Sequence, residues 1–252
     1  MKRGINFSNI FQDEIKCFSL PAFRLKYSMR LILFDIDGTL IDSGGAGVRS
    51  LDLAFRELFS IDKGFDGITM AGKTDTQIIK EGLTKHGLPA DGNIDKIING
   101  YLRNLQREIN NNKKHVKPGI NELLMQLKRK NHSALGLLTG NLEQGARIKL
   151  EPFGLNEYFP SGAFGSDDED RNNLLPVVVK RFKVLLQRKI EIDSCVIVGD
   201  TPRDVECAHI YGALCIGVAT GPYPIEALID AGADYVFEDL SDFQAIQHLF
   251  NL

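Results

Sequence analysis

Two aspartates, Asp35 and Asp37, stand one residue apart where the apolar run Leu31 to Phe34 stops. Carboxylates so close to one another repel unless a cation or a shared proton compensates them, and a divalent metal is the obvious partner. Gly38 then permits a tight reversal, and Thr39 places a hydroxyl where the backbone turns away. Two later segments end in the same manner: LGLLTGN closes on Thr139, Gly140 and Asn141, and VIVGDTPRD supplies Asp200 and Asp204. Carboxylates are the hard oxygen ligands magnesium prefers, while a threonine hydroxyl and the amides of Gly140 and Asn141 can donate to phosphate oxygens. Taken alone, Asp200 and Asp204 read first as caps of the following helix. Thr139 alone would be an ordinary strand-terminal hydroxyl. Agreement of three strand ends favours a joint metal and phosphate site.

That agreement requires strands running in one direction. Leu31 to Phe34 form a short continuous apolar run of the kind buried on both faces of a parallel sheet. Past Ile120 the pattern alternates: a helix with Leu123, Leu124 and Leu127, a strand Ala134 to Leu138, a helix after Asn141, and a short strand near Ala163. It continues with a helix Leu174 to Arg188, strand Cys195 to Val198, helix Arg203 to Tyr211, strand Leu214 to Val218, and segments Tyr235 to Phe237 and Asp242 to Phe250. Strand and helix alternation of this type predicts an α/β fold, a doubly wound, Rossmann-like parallel sheet with helices on both faces. The carboxyl ends of its strands share one edge, where such folds place ligands. The loop Gly217 to Pro224 falls at another strand end and is read as a turn of the chain.

Between the first motif and this alternation lies a different unit. Ser43, Gly44, Gly45 and Gly47 make a flexible connection, after which helical spacing sets in: Val48, Leu51, Phe55, Leu58; then Ile78, Ile79, Leu83; then Ile94, Ile97, Tyr101, Leu105, Ile109. The polar run Asn110 to Lys114 and the pair Pro118-Gly119 close it. The expected organisation is a core of residues 29–44 and 118–252 with an inserted α-helical unit over 45–117. Residues 1–28 read as an extension outside the fold, and a start at Met29 would yield a complete domain.

A chain of 252 residues, 43% hydrophobic, can bury a full core. Its 30 Lys and Arg against 33 Asp and Glu, with no long basic block, speak against a nucleic-acid or membrane surface. No apolar run reaches the eighteen residues of a membrane span. Cys17, Cys195, Cys207 and Cys215 lack metal-ligand spacing and point to a reducing, cytoplasmic setting. His86, His115, His132, His209 and His248 likewise share no metal spacing and read as surface or packing residues.

From Met29 onward the chain resembles the haloacid dehalogenase superfamily of hydrolases, in the manner of phosphoglycolate phosphatase and β-phosphoglucomutase. The residues that carry the resemblance are Asp35-Ile36-Asp37-Gly38-Thr39-Leu40, the hydrophobic-Thr-Gly-Asn segment ending at Asn141, and Gly199-Asp200 with Asp204, in that order. The helical unit matches the family's cap in position and length. The resemblance implies that Asp35 attacks phosphorus and that Asp37 exchanges the proton with leaving group and water. It implies Mg2+ held by Asp35, the main-chain carbonyl of Asp37 and Asp200, with Asp204 an additional or outer ligand. Where the family carries a lysine about thirty residues before the last aspartate motif, this chain offers Arg171; Lys180 lies too near Asp200. A guanidinium keeps the charge but not the compactness of an ammonium. Lys73, in MAGKTD, is placed to meet a second anionic group of the substrate, or else precedes a Thr-Asp helix cap.

The expected function is therefore a magnesium-dependent phosphatase acting on a small phosphorylated metabolite. A sugar-phosphate mutase of the same superfamily is the alternative, and a non-catalytic phosphate-binding module another. Dehalogenases lack an acid at the place of Asp37, and receiver domains lack an inserted unit and the DIDGTL order.

Overall fold

The computed structural model describes residues 30–130, 133–242, 245, 246 and 249. The N-terminal extension, Cys17, His132 and His248 lie outside the described residues, as does part of Asp242 to Phe250. Six parallel strands make one sheet: β1 (Arg30–Phe34), β4 (Ser133–Thr139), β5 (Gly162–Phe164), β6 (Val196–Gly199), β7 (Leu214–Val218) and β8 (Tyr235–Phe237), in the order β5-β4-β1-β6-β7-β8. β1 is central, with Ile32 registered against Leu135 on one side and Val196 on the other. The predicted α/β class and strand positions agree with the sheet to within a residue or two.

Alternation along β1 divides its side chains between two cores. Ile32 and Phe34 join Leu137 and Val198 beneath α4 (Ile120–Lys130) and α5 (Glu143–Leu150), whose Leu123, Leu127, Ala146 and Leu150 are buried there. Leu31 and Leu33 face the opposite way, against α6 (Leu174–Leu186) and α7 (Pro202–His209). Gly136 of β4 makes room for this second layer, because a Cβ there would lie 2.7 Å from the Phe182 ring. The helix α8 (Ile225–Asp230) follows the Gly217 to Pro224 segment; its single fully buried apolar residue, Leu228, leaves too weak a periodic signal to be read from sequence.

The helical insert contains α1 (Ala46–Phe59), α2 (Asp75–Lys85) and α3 (Ile94–Glu108). It has its own apolar cluster, centred on Phe55, which meets Phe59 and Phe65 edge to face. Leu142 of the core packs into that cluster. The two chain passages joining insert to core pair as short antiparallel strands, β2 (Ile41–Asp42) and β3 (His115–Val116). Two-residue strands leave no alternating pattern, and neither was anticipated.

His86 Nε2 donates to the Gly64 carbonyl at 2.8 Å, and His209 lies 3.1 Å from Asp234, roles in packing and surface pairing as expected. Cys195, Cys207 and Cys215 are free and buried.

Candidate active site

β1, β4 and β6 run alongside one another and deliver Asp35, Thr139 and Asp200 to one sheet edge. The Asp35 amide donates to the Val198 carbonyl at 3.0 Å, so the strand pairing extends to the aspartate itself. Gly38 adopts φ 86°, and a Cβ there would lie 2.3 Å from an Asp200 oxygen; the turn after DID needs glycine both for its backbone angle and for this approach. Thr39 donates to Asp200 Oδ1 at 3.0 Å.

Asp35, Asp200 and Asp204 bring carboxylate oxygens within 4.8 Å of one another, and all three residues are buried. Burial, partly offset by Arg171 and countered again by the neighbouring Asp204 charge, raises the Asp35 carboxyl to about 6. Burial and the charges of Asp35 and Asp204 likewise hold Asp200 well above the usual carboxylate range. Such a set of hard oxygens, unable to ionise together without compensation, fits a small divalent cation. Asp204 occupies a special place in it. One of its oxygens meets Arg171, and the other accepts from the Thr201 amide at 3.0 Å and the Thr201 hydroxyl at 2.8 Å. It thus closes a capping box at the start of α7, where Pro202 occupies the first turn.

Arg171 is 4% exposed and lies within a short 3-10 turn, Arg171–Asn173, ahead of α6. Its Nη2 is 3.4 Å from Asp35 Oδ2, pairs with Asp204, and donates to the Leu138 carbonyl at 3.3 Å. Its Nε has no partner among the described residues. Lys180 is exposed on α6, far from this role.

Asp37 points elsewhere. Its side chain keeps 40% exposure, and its Oδ2 accepts from Lys149 Nζ at 2.6 Å and from Asn141 Nδ2 at 2.9 Å. Burial would raise its carboxyl, but Lys149, Asn141 and Ser43 together bring it below the usual range. Asn141 also donates through Nδ2 to Thr139 Oγ at 2.9 Å and accepts Lys149 at 2.6 Å through Oδ1. The asparagine side chain is therefore committed to bracing Asp37.

The insert touches this edge through MAGKTD. Thr74 caps α2 in a capping box with Gln77 and donates to the Glu169 carbonyl at 2.9 Å. The Asp75 amide donates to the Gly140 carbonyl at 2.8 Å, and the Asp75 carboxylate accepts the Leu142 amide at 2.8 Å. Gly140 permits this contact, since a Cβ would come 2.1 Å from the Lys73 carbonyl. Lys73 itself pairs with Glu81 at 2.6 Å and lines the cavity. That cavity, of about 440 Å³, extends from Asp35 and Asp200 past Lys149 and Lys117 to Leu51, Met70 and Ile78 of the insert.

Three members of the site escaped the sequence reading. Lys149 resembles a surface lysine of α5, although its spacing from Leu142 and Ala146 places it on the buried stripe, and that was the available signal. Tyr101 reads as an apolar helix residue, and Asp75 as a cap.

A haloacid dehalogenase-like hydrolase family model matches residues 32–218. A phosphoglycolate phosphatase of Synechococcus elongatus is 27% identical over 224 residues, covering 88% of this chain and 99% of its own. A phosphoglycolate phosphatase of Pseudomonas savastanoi pv. phaseolicola is 24% identical, covering 84% of this chain and 77% of its own. A hydrolase from Pseudomonas syringae superposes with TM-score 0.65 at 23% identity, covering 88% and 99% of the two chains. CbbY from Rhodobacter sphaeroides, solved with phosphate, gives TM-score 0.67 at 18% identity, covering 85% and 96%. The acidic strand ends, the buried arginine and these matches converge: the chain belongs to the haloacid dehalogenase-like hydrolases.

Proposed function

We propose that the protein hydrolyses a small phosphomonoester in the presence of Mg2+, through an aspartyl-phosphate on Asp35. The observation that carries this reading is the pairing of buried Asp35 with Arg171 beside Asp200, while Asp37 stands apart on its own cation. Two environments for two carboxylates support two roles. Asp35, Asp200 and the Asp37 main-chain carbonyl would hold the metal, with Asp204 acting through Arg171 and Thr201. When bound, the ion supplies charge neutralisation at the phosphoryl oxygens and lets Asp35 ionise.

The chain's own groups then divide the work. A carboxylate oxygen of Asp35 forms the new P–O bond; the departing P–O pair goes to the alcohol oxygen, which takes its proton from the protonated form of Asp37, a minor form beside the Lys149 ammonium. Water next attacks phosphorus, yields its proton to Asp37, and inorganic phosphate leaves as the bond to Asp35 breaks. Thr139, the amides of Gly140 and Asn141, and Arg171 receive the phosphoryl oxygens, and the unpaired Arg171 Nε is a donor in reserve for them. The insert acts as a cap that covers the cavity, with Lys73 at the rim meeting a second anionic group. The named relatives make phosphoglycolate the first substrate to try.

Phosphate release from a panel of phosphomonoesters, with and without Mg2+, tests the reading. Asp35→Asn should lower turnover by about a thousandfold or more. Undiminished activity in that variant would sink the assignment.

A further inference from the structure

We propose that Lys149 is a positioning residue: it orients the Asp37 carboxylate toward the substrate, and the docked helical insert holds it in place. This deepens the phosphatase reading and rests on it.

Lys149 is 4% exposed, and its Nζ lies 2.6 Å from Asp37 Oδ2 and 2.6 Å from Asn141 Oδ1. Asn141 Nδ2 reaches the same Asp37 oxygen at 2.9 Å. Lysine, asparagine and aspartate form a closed triangle in which each side chain is held by the other two. One oxygen of Asp37 is thereby fixed from two directions. A carboxylate so held cannot spin about its terminal bond, and its partly exposed remainder faces the cavity. Lys149 also lines the cavity, but its ammonium is taken up by Asp37 and Asn141, and its effect on the reaction passes through Asp37.

The far side of Lys149 belongs to the insert. Tyr101 of α3 and Asp75 of α2 stand close enough to bear on one another and on the ammonium. At the start of α1, a Cβ on Gly47 would lie 3.4 Å from Nζ and 4.0 Å from the Tyr101 hydroxyl, so α1 completes the enclosure. Asp75 is in turn tied to the core through Leu142 and Gly140. Withdrawal of the insert would remove three walls at once and admit water to the ammonium. The triangle would then compete with solvent, and Asp37 would lose its fixed plane.

A purely structural ion pair would predict the same loss on every substrate. A positioning role for the proton donor predicts a loss that depends on the leaving group, because an alkoxide needs the proton and a nitrophenolate does not. The experiment is therefore single-turnover release of the leaving group, with Mg2+, from phosphoglycolate, or another alkyl ester hydrolysed in the panel, and from p-nitrophenyl phosphate. Lys149→Met should slow alkyl ester cleavage about a hundredfold and p-nitrophenyl phosphate cleavage less than about fivefold, with little change in KM. Lys149→Gln, which keeps a donor for Asp37, should show the same selectivity at reduced size, and it carries the test if Lys149→Met does not fold. Asp75→Asn should show it more weakly still, since it loosens only the insert side. Equal losses on both esters in the lysine variants overturn the inference alone. A wild-type selectivity in Asp75→Asn overturns the dependence on docking. A wild type that cleaves neither ester overturns the phosphatase reading, and this inference with it.

Discussion

Asp75 carries a carboxyl whose surroundings set a measurable pH dependence. Burial is the chief cause that raises it to about 6, and Lys149, already engaged by Asp37, offsets this only in part. The folded chain therefore keeps the proton up to about pH 6, whereas the unfolded chain releases it near 4. Stability contributed by this group is complete below pH 4 and falls as pH rises toward 6. Asp75→Asn cannot ionise, so its stability relative to wild type should improve by on the order of 3 kcal/mol between pH 4 and pH 7, as read by urea unfolding. A constant difference across that range would contradict the assignment. Arg171 allows a second test at this scale. It reaches Asp35 and Asp204 with one planar group, which a single ammonium cannot reproduce. Arg171→Lys should lower kcat/KM by about 10- to 100-fold on any ester hydrolysed, checked by steady-state kinetics. The aspartates and Thr139 were legible because short motifs at strand ends announce themselves. Lys149 was not, because its meaning depends on Asp37, 112 positions away in the chain.

The elements that meet at the site explain why its glycines and caps matter. The Thr139 to Asn141 turn is both the proposed phosphate cradle and the platform on which the Lys73 to Asp75 segment rests. Gly140→Ala would put a methyl group 2.1 Å from the Lys73 carbonyl, so the insert must lift or the turn must shift. The expected result is a loss of at least about tenfold in kcat/KM together with faster proteolytic cleavage around residues 70–75. Thr74→Ala removes the α2 cap and the bond to Glu169. It should cost about 1 kcal/mol, seen as a lower urea midpoint, while chemistry at Asp35 persists. Amphipathic spacing foretold the helices of the insert and most of their buried faces, though Val48 and Leu58 of α1 are exposed. It did not foretell that Asp75 would use one residue both to begin α2 and to hold the core.

Across the whole molecule, two apolar layers flank the sheet and a third cluster fills the insert. Phe55 is the centre of that third cluster, packed against Phe59, Phe65 and the close backbone of Gly64. Phe55→Ala should cost about 3 to 5 kcal/mol, and hydrogen exchange should locate the loss in α1 and α3 before the sheet. Uniform loss of protection across both parts would show that they unfold as one. The β2 and β3 pair ties the two connecting passages to one another. By itself, the order of amino acids determined the α/β class, the parallel strands, the helical spacing between the first strand and the rest, and the acids at strand ends, because period, turn residues and strand-end acids are local properties. Tertiary structure alone decided that Asp204 serves Arg171 and Thr201, that Asn141 turns its side chain to Asp37, and that Lys149 lies buried between core and insert. Those assignments are sums of contacts between distant segments, and their energies exist only once the chain has brought the partners within a few ångströms.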